Sequence, residues 1–211
     1  MGDGIETKWS AGEIALHDGT KMKGLVRFNE ISKLISFKEN VDAKESKSFK
    51  EVKVFSLSLI DSTGKKRNFY SFQHEKEILL YEVLKEFKDW AVLGRKEMVQ
   101  ALEGKNDSGN NEGLPMGKNT RAVLTQIEGI YAIDQNGKIE LIQNTNHVEV
   151  DGLLGDYSRS KKQINNEVLQ KHMKSFYSDV ESFIKQNKLK LKRKTDLLKA
   201  LDYYETLVSK S

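Results

Sequence analysis

Residues 77–102 read EILLYEVLKEFKDWAVLGRKEMVQAL, and the fold turns on whether they coil or extend. Ile78, Leu79, Leu80, Val83, Leu84 and Phe87 recur at a spacing that fits the 3.6-residue period of a helix. The same run fits a buried strand, with Leu80, Glu82 and Leu84 set against Tyr81 and Val83, and with Trp90 to Leu93 returning after EFKD. Periodicity alone leaves both readings open.

The flanking sequence is easier to read. Upstream, GEIALHDGTKMKGLVRF (12–28) is two short runs joined at Asp18-Gly19, a dipeptide suited to a tight hairpin because glycine tolerates positive φ. KLISF (33–37) reads as a further strand. VKVFSLSLIDSTGKKRNFYSF (52–72) reads as a hairpin about DSTG, with Phe69, Tyr70 and Phe72 on its return. Its alternation slips between Val54 and Phe55, which marks a bulge. Downstream, residues 103–121 are rich in Gly, Asn and Ser and read as a mobile loop. Asn136-Gly137 then turns a hairpin between 130–133 and 139–142.

From Tyr157 onward the period changes to that of a helix. Ile164, Val168, Leu169, Met173, Phe176, Tyr177, Val180, Phe183 and Ile184 make one apolar stripe. A second helix follows with Thr195 as its cap and Asp196 at its positive end, its apolar face being Leu197, Leu201, Tyr204 and Val208. The fold class this predicts is α+β: a β-rich barrel or sandwich body over 1–151, then a helical hairpin over 152–211, packed on the body or projecting from it.

Composition removes several chemistries. The chain has 211 residues, 37% hydrophobic and 31% charged, enough to bury a core. It has no Cys, which excludes thiol nucleophiles, thiolate metal sites and disulfides. No apolar run reaches the ~18–20 residues of a membrane-spanning helix. The opening MGDGIETKW shows no signal peptide, so the expected setting is periplasmic or envelope-associated if a leader was removed, and cytoplasmic otherwise.

The run W-S-A-G-E-I-A-L-H-D-G-T-K-M-K-G-L-V-R-F-N (9–29) resembles the start of uncharacterised, often exported β-rich proteins of Gram-negative bacteria. In that group a strand, a DG turn and a second strand of pattern G-x-V-x-[FY]-N open the domain. N-F-Y-S-F (68–72), L-Y-E-V-L (80–84) and A-V-L-G-R-K-E (91–97) are similar to its aromatic strand and following hairpin. The segment 183–204 looks like its closing helices. The resemblance covers most of the chain and implies strands for 78–96 and an envelope setting. It carries no catalytic residues, because the group has no assigned activity. One departure is that the group's Gly after E-V-L is replaced here by KEFKD (85–89).

Few motifs carry chemistry. GLPMGKNT (113–120) falls short of a phosphate-binding loop: its first Gly is one residue too close and Asn119 takes the hydroxyl position. His17, His74, His147 and His172 are far apart, with no metal-ligand spacing, so no metal or cofactor is expected. Carboxylates are scattered among lysines, which leaves a hydrolase as a third reading with no pair to name. Phe69, Tyr70 and Phe72, beside Lys66 and Arg67, read either as core alternation or as a stacking platform for bases or sugars.

Charge is uneven. From Tyr157 to the end there are 13 Lys or Arg against 6 Asp or Glu, and five of the basic residues fall at Lys188, Lys190, Lys192, Arg193 and Lys194. These five are the candidate anion contact, toward nucleic acid or acidic lipid head groups, with Lys171, Lys174 and Lys185 as further candidates that Glu167, Asp179 and Glu181 dilute. The alternative is a connector in which Leu189 and Leu191 anchor inward while the cations face water. The function expected first is a non-enzymatic binding or structural module of the bacterial envelope that recognises a protein or another envelope component; an anionic-surface binder is the alternative.

Overall fold

A computed structural model describes residues 8–30, 32–104, 120–150 and 157–210. Residues 77–102 extend. They form β7 (Glu77–Glu86) and the first part of β8 (Trp90–Gly104); of KEFKD, Lys85 and Glu86 end β7 and Phe87, Lys88 and Asp89 make the turn. Helical spacing arises here because the strand is apolar on both faces. Leu80 and Leu84 pack to one side, Tyr81 and Val83 to the other, and a bulge between Val83 and Lys85 shifts the register.

The strands before them are β1 (Ser10–Leu16), β2 (Lys21–Asn29), β3 (Leu34–Lys38), β4 (Lys47–Lys50), β5 (Val54–Ile60) and β6 (Lys66–His74), with one 3-10 turn at Glu51–Lys53. After β8 come β9 (Thr120–Asp134), β10 (Ile139–Val150) and β11 (Tyr157–Ile164). All eleven belong to one antiparallel sheet in the order β11-β10-β9-β8-β7-β6-β5-β1-β2-β3-β4. The expected bulge is real. Ala15 pairs with Ser56 and Leu16 with Val54, which leaves Phe55 as the extra residue, half exposed, between buried Val54 and Leu57.

The sheet is open, and β4 and β11 are its edges. Its N-terminal part nonetheless curls as a barrel would. Phe28 on β2 meets Phe69 on β6 edge to face at 5.5 Å, although β1 and β5 lie between those strands. The concave side of the curl holds a core of Ile14, Val26, Phe28, Leu57, Leu59 and Phe69. The helices are α1 (Asn166–Met173), α2 (Tyr177–Gln186) and α3 (Lys194–Val208), with α2 and α3 as the hairpin. They cover one face of β8–β10, where Trp90, Val92, Ile130, Ala132 and Ile142 pack against Leu169, Met173, Val180, Leu197, Leu201 and Tyr204.

Four expectations need correction. The helical part begins at Asn166, later than Tyr157, because 157–164 pairs with β10 from Val150↔Tyr157 to Gln143↔Ile164. As an edge strand, β11 needs no apolar alternation, and its Lys161 and Lys162 suit an edge in water. Lys174 takes φ 52° and interrupts the apolar stripe, separating α1 from α2 with a short 3-10 turn. Thr195 is not the cap: α3 starts two residues earlier than that cap implies, at Lys194 with Arg193 as N-cap and no side-chain cap bond, while the Asp196 carboxylate accepts the Lys190 N–H at 3.0 Å. The expected loop at 103–121 is strand at its ends, and 105–119, with most of GLPMGKNT, lies outside the described residues.

Candidate binding surface

β6 decides which of its aromatics meets solvent. Its period of two sends Arg67 and Phe69 to the concave core side and Lys66, Asn68 and Tyr70 to the outer face. Phe69 is core, and Phe72 packs partly buried near Tyr81. Tyr70, at 41% exposure, remains available. The stacking platform expected over 66–72 therefore divides between two faces, and the outer half keeps one exposed aromatic, Tyr70, with partly buried Phe72, one amide and one ammonium.

That half borders a hollow. Tyr70 pairs with Ser56, Ser56 with Ala15, and Ala15 with Lys21, which gives one row across four strands. The next row is Asn68, Ser58, Glu13 and Lys23. The two middle strands thus present three short side chains, Ala15, Ser56 and Ser58, and one long one, Glu13, between Lys21 and Lys23 on β2 and Asn68 and Tyr70 on β6. The result is an open trough of about 450 Å³ with Lys21 and Lys23 on one wall and Lys66 and Tyr70 on the other. Three ammonium groups face one carboxylate, and that carboxylate, Glu13, pairs with Lys23 at 3.2 Å.

The five candidate anion-contact residues lie elsewhere, in the turn between α2 and α3. Lys188 sits at φ 53°, and the Leu189 N–H donates to the Ile184 carbonyl at 3.0 Å, a Schellman-type close of α2. Leu189 and Leu191 pack on the helix core, as the connector reading expects, and Gln143 Nε2 donates to the Leu191 carbonyl at 3.2 Å. Lys188, Lys190, Lys192 and Arg193 are exposed. Lys192 lines a groove with Lys162 of β11. Lys194 is committed inward to Glu128 at 2.7 Å. Burial works against the Glu128 carboxylate, but Lys194 outweighs it and holds the group below its ordinary range.

A third charged region sits where the sheet forks. The β7–β8 ladder stops at Glu82↔Gly94, while β8 runs on beside β9 to Gly104. In the cleft Arg67 grips Glu82 with two hydrogen bonds of 2.9 Å and reaches Glu30 at 2.8 Å. Arg95, 8% exposed, does the same to Glu51 at 2.9 and 3.0 Å and also donates to the Leu80 carbonyl. Lys33 donates to the Lys96 carbonyl, and burial, reinforced by Arg95, pushes its ammonium down to about 8. The enclosed space here is about 20 Å³, room for about one water molecule. Its paired charges close the curled half against β8 and leave no volume for a substrate.

The four histidines occupy four places. His17 meets Ser71 Oγ at 3.2 Å, His74 bonds the Tyr81 hydroxyl, His147 bonds Ser160 Oγ at 2.7 Å, and His172 stacks on Trp90 at 4.9 Å. Among the described residues no group of three or more His, Asp or Glu is placed to hold a metal ion, and no helix is long and apolar enough to cross a membrane.

Lys21, Lys23, Ser56, Ser58 and Asn68 were not singled out by sequence. The signal was short side chains at matching strand positions, which becomes legible only once β1 is known to lie between β5 and β2. Comparison with family models, with curated proteins and with solved structures finds no match for the chain.

Proposed function

We propose that the chain is a non-enzymatic binding module of the bacterial envelope that presents the outer trough of β2, β1, β5 and β6 to its ligand. One observation carries the reading: the trough combines ligand-sized volume, excess positive charge and an exposed aromatic on a face that no helix among the described residues covers. The opposite arrangement holds at the fork, where the densest charge cluster is paired internally around a space for one water. The envelope setting rests on the resemblance of the opening strands and closing helices to exported proteins of Gram-negative bacteria.

The test is cosedimentation with a purified Gram-negative envelope fraction. Wild type is expected in the pellet, and a Lys21→Glu/Lys66→Glu variant in the supernatant. Wild type that stays soluble, or a variant that still sediments, removes the reading.

A further inference from the structure

Resting on that reading, we propose that the trough binds an acidic oligosaccharide, with carboxylates at Lys21, Lys23 and Lys66 and one sugar face laid on Tyr70. The dimensions fit a short chain of sugars. The four strands from β2 to β6 span about 14 Å at about 4.8 Å each, and the two rows stand about 7 Å apart. Ala15, Ser56 and Ser58 lower the floor so that a flat pyranose can lie against it.

The donor and acceptor inventory selects the class. The lysines donate only, and so recognise anions. Glu13 accepts only, Asn68 offers both roles, and the serine hydroxyls do either. A ligand that satisfies this set must carry negative charge and also donate hydrogen bonds, as a uronic acid with free hydroxyls does. A nucleic-acid strand fits poorly. Its phosphates donate nothing and would pass Glu13 at mid-trough, and the outer row offers one exposed ring where base stacking uses several in succession. Arginine, whose fork suits phosphate, is not among the described residues that line the trough. Tyr70, 41% exposed and flanked across the strands by Ser56 and Tyr81, offers an aromatic surface suited to the C–H face of a sugar.

The experiment is calorimetric titration of the full chain with tetragalacturonate, with neutral maltotetraose and with an eight-nucleotide oligothymidylate, at low and at physiological salt. Tetragalacturonate is expected to bind and to weaken with salt, the other two to bind at least about tenfold less tightly. Tyr70→Ala and Lys21→Gln/Lys66→Gln should each lower affinity at least about tenfold, while Tyr70→Phe retains it. Ser58→Tyr, which fills the floor, should abolish binding with the melting temperature unchanged. Equal binding of maltotetraose, or tighter binding of the oligonucleotide, overturns the proposal. So does tetragalacturonate binding that survives Tyr70→Ala and Ser58→Tyr. Should tetragalacturonate fail to bind while envelope cosedimentation still depends on Lys21 and Lys66, the ligand class falls and the binding-module reading stands. If cosedimentation is also lost, both fall.

Discussion

Arg95 holds Glu51 in two hydrogen bonds of 2.9 and 3.0 Å across 44 residues of sequence, and the pair fastens the curled half of the sheet to β8. Both side chains are largely buried. Removing one partner strands the other charge, so Arg95→Ala is expected to cost about 3–5 kcal/mol in urea unfolding. The double change Arg95→Met/Glu51→Leu should recover most of that loss, because neither member of the pair is left behind as an uncompensated charge. A double variant no more stable than Arg95→Ala would show that the fork needs the pair itself.

The connector 188–194 separates two kinds of lysine. Lys190, Lys192 and Arg193 face water, so changing all three to Gln should alter stability by no more than about 0.5 kcal/mol. Lys194→Gln leaves the partly buried Glu128 without its 2.7 Å partner and should cost about 1 kcal/mol. The triple variant should also sediment with the envelope as wild type does. Loss of that property would move the binding surface to the anion-contact residues and the groove shared by Lys192 and Lys162.

Acid should unfold the helical side in two stages. Burial, with Lys171 nearby, pushes the His172 imidazole below its ordinary 6.5, against the opposing pull of Glu140. The unfolded chain then binds the proton more readily, so stability is full above pH 6.5 and falls as pH drops toward the lowered folded value. Glu140 follows. Its hydrogen bond from Lys171 holds it at about 2, so its contribution is present above 4.5 and is lost as pH falls toward 2. Melting curves from about pH 8 to about pH 3 should show both stages, and His172→Phe should remove the first alone.

Lys33 should titrate early. With burial and Arg95 pushing its ammonium down to about 8, it becomes nucleophilic well before a free lysine side chain, near about 10.4. Acetylation at increasing pH, read by mass spectrometry, should place its midpoint close to about 8. Because the folded state favours neutral Lys33, stability should rise as pH climbs from about 8 toward 10.5. A midpoint near about 10.4 would mean that the Lys33 side chain stays hydrated.

Much of the fold was legible wherever local chemistry acts alone. Gly19, Gly64 and Gly137 adopt φ of 88°, 82° and 79° at the three expected hairpins, and the slip at Val54–Phe55 is a bulge in the paired strands. Helical residues were legible by face, since Leu169, Met173, Val180, Leu197 and Leu201 are all in the core. The limits of that stripe were not. The polar strand β11 has one partner and no alternation to betray it, and Lys174 turns to positive φ in a run with no glycine. Of the candidate surface, only Tyr70 and Lys66 could be read in advance, because they share one strand. Glu13, Lys21, Ser56 and Ser58 come from three further strands, and the neighbour relation that joins them belongs to the sheet order.

That order has a consequence for the chain as it is made. β1 lies between β2 and β5, so its second edge finds no partner until Val54–Ile60, well downstream of Leu16, has left the ribosome. During that interval the nascent β1–β4 unit carries a bare strand edge with Ile14 on it, a place where another growing chain could pair. Gly12 narrows the permitted answer, since even a methyl group there would stand 2.3 Å from the Ser58 carbonyl oxygen. The late strand must seat closely against that glycine, so any side chain at position 12 would obstruct the closure of the sheet on β1.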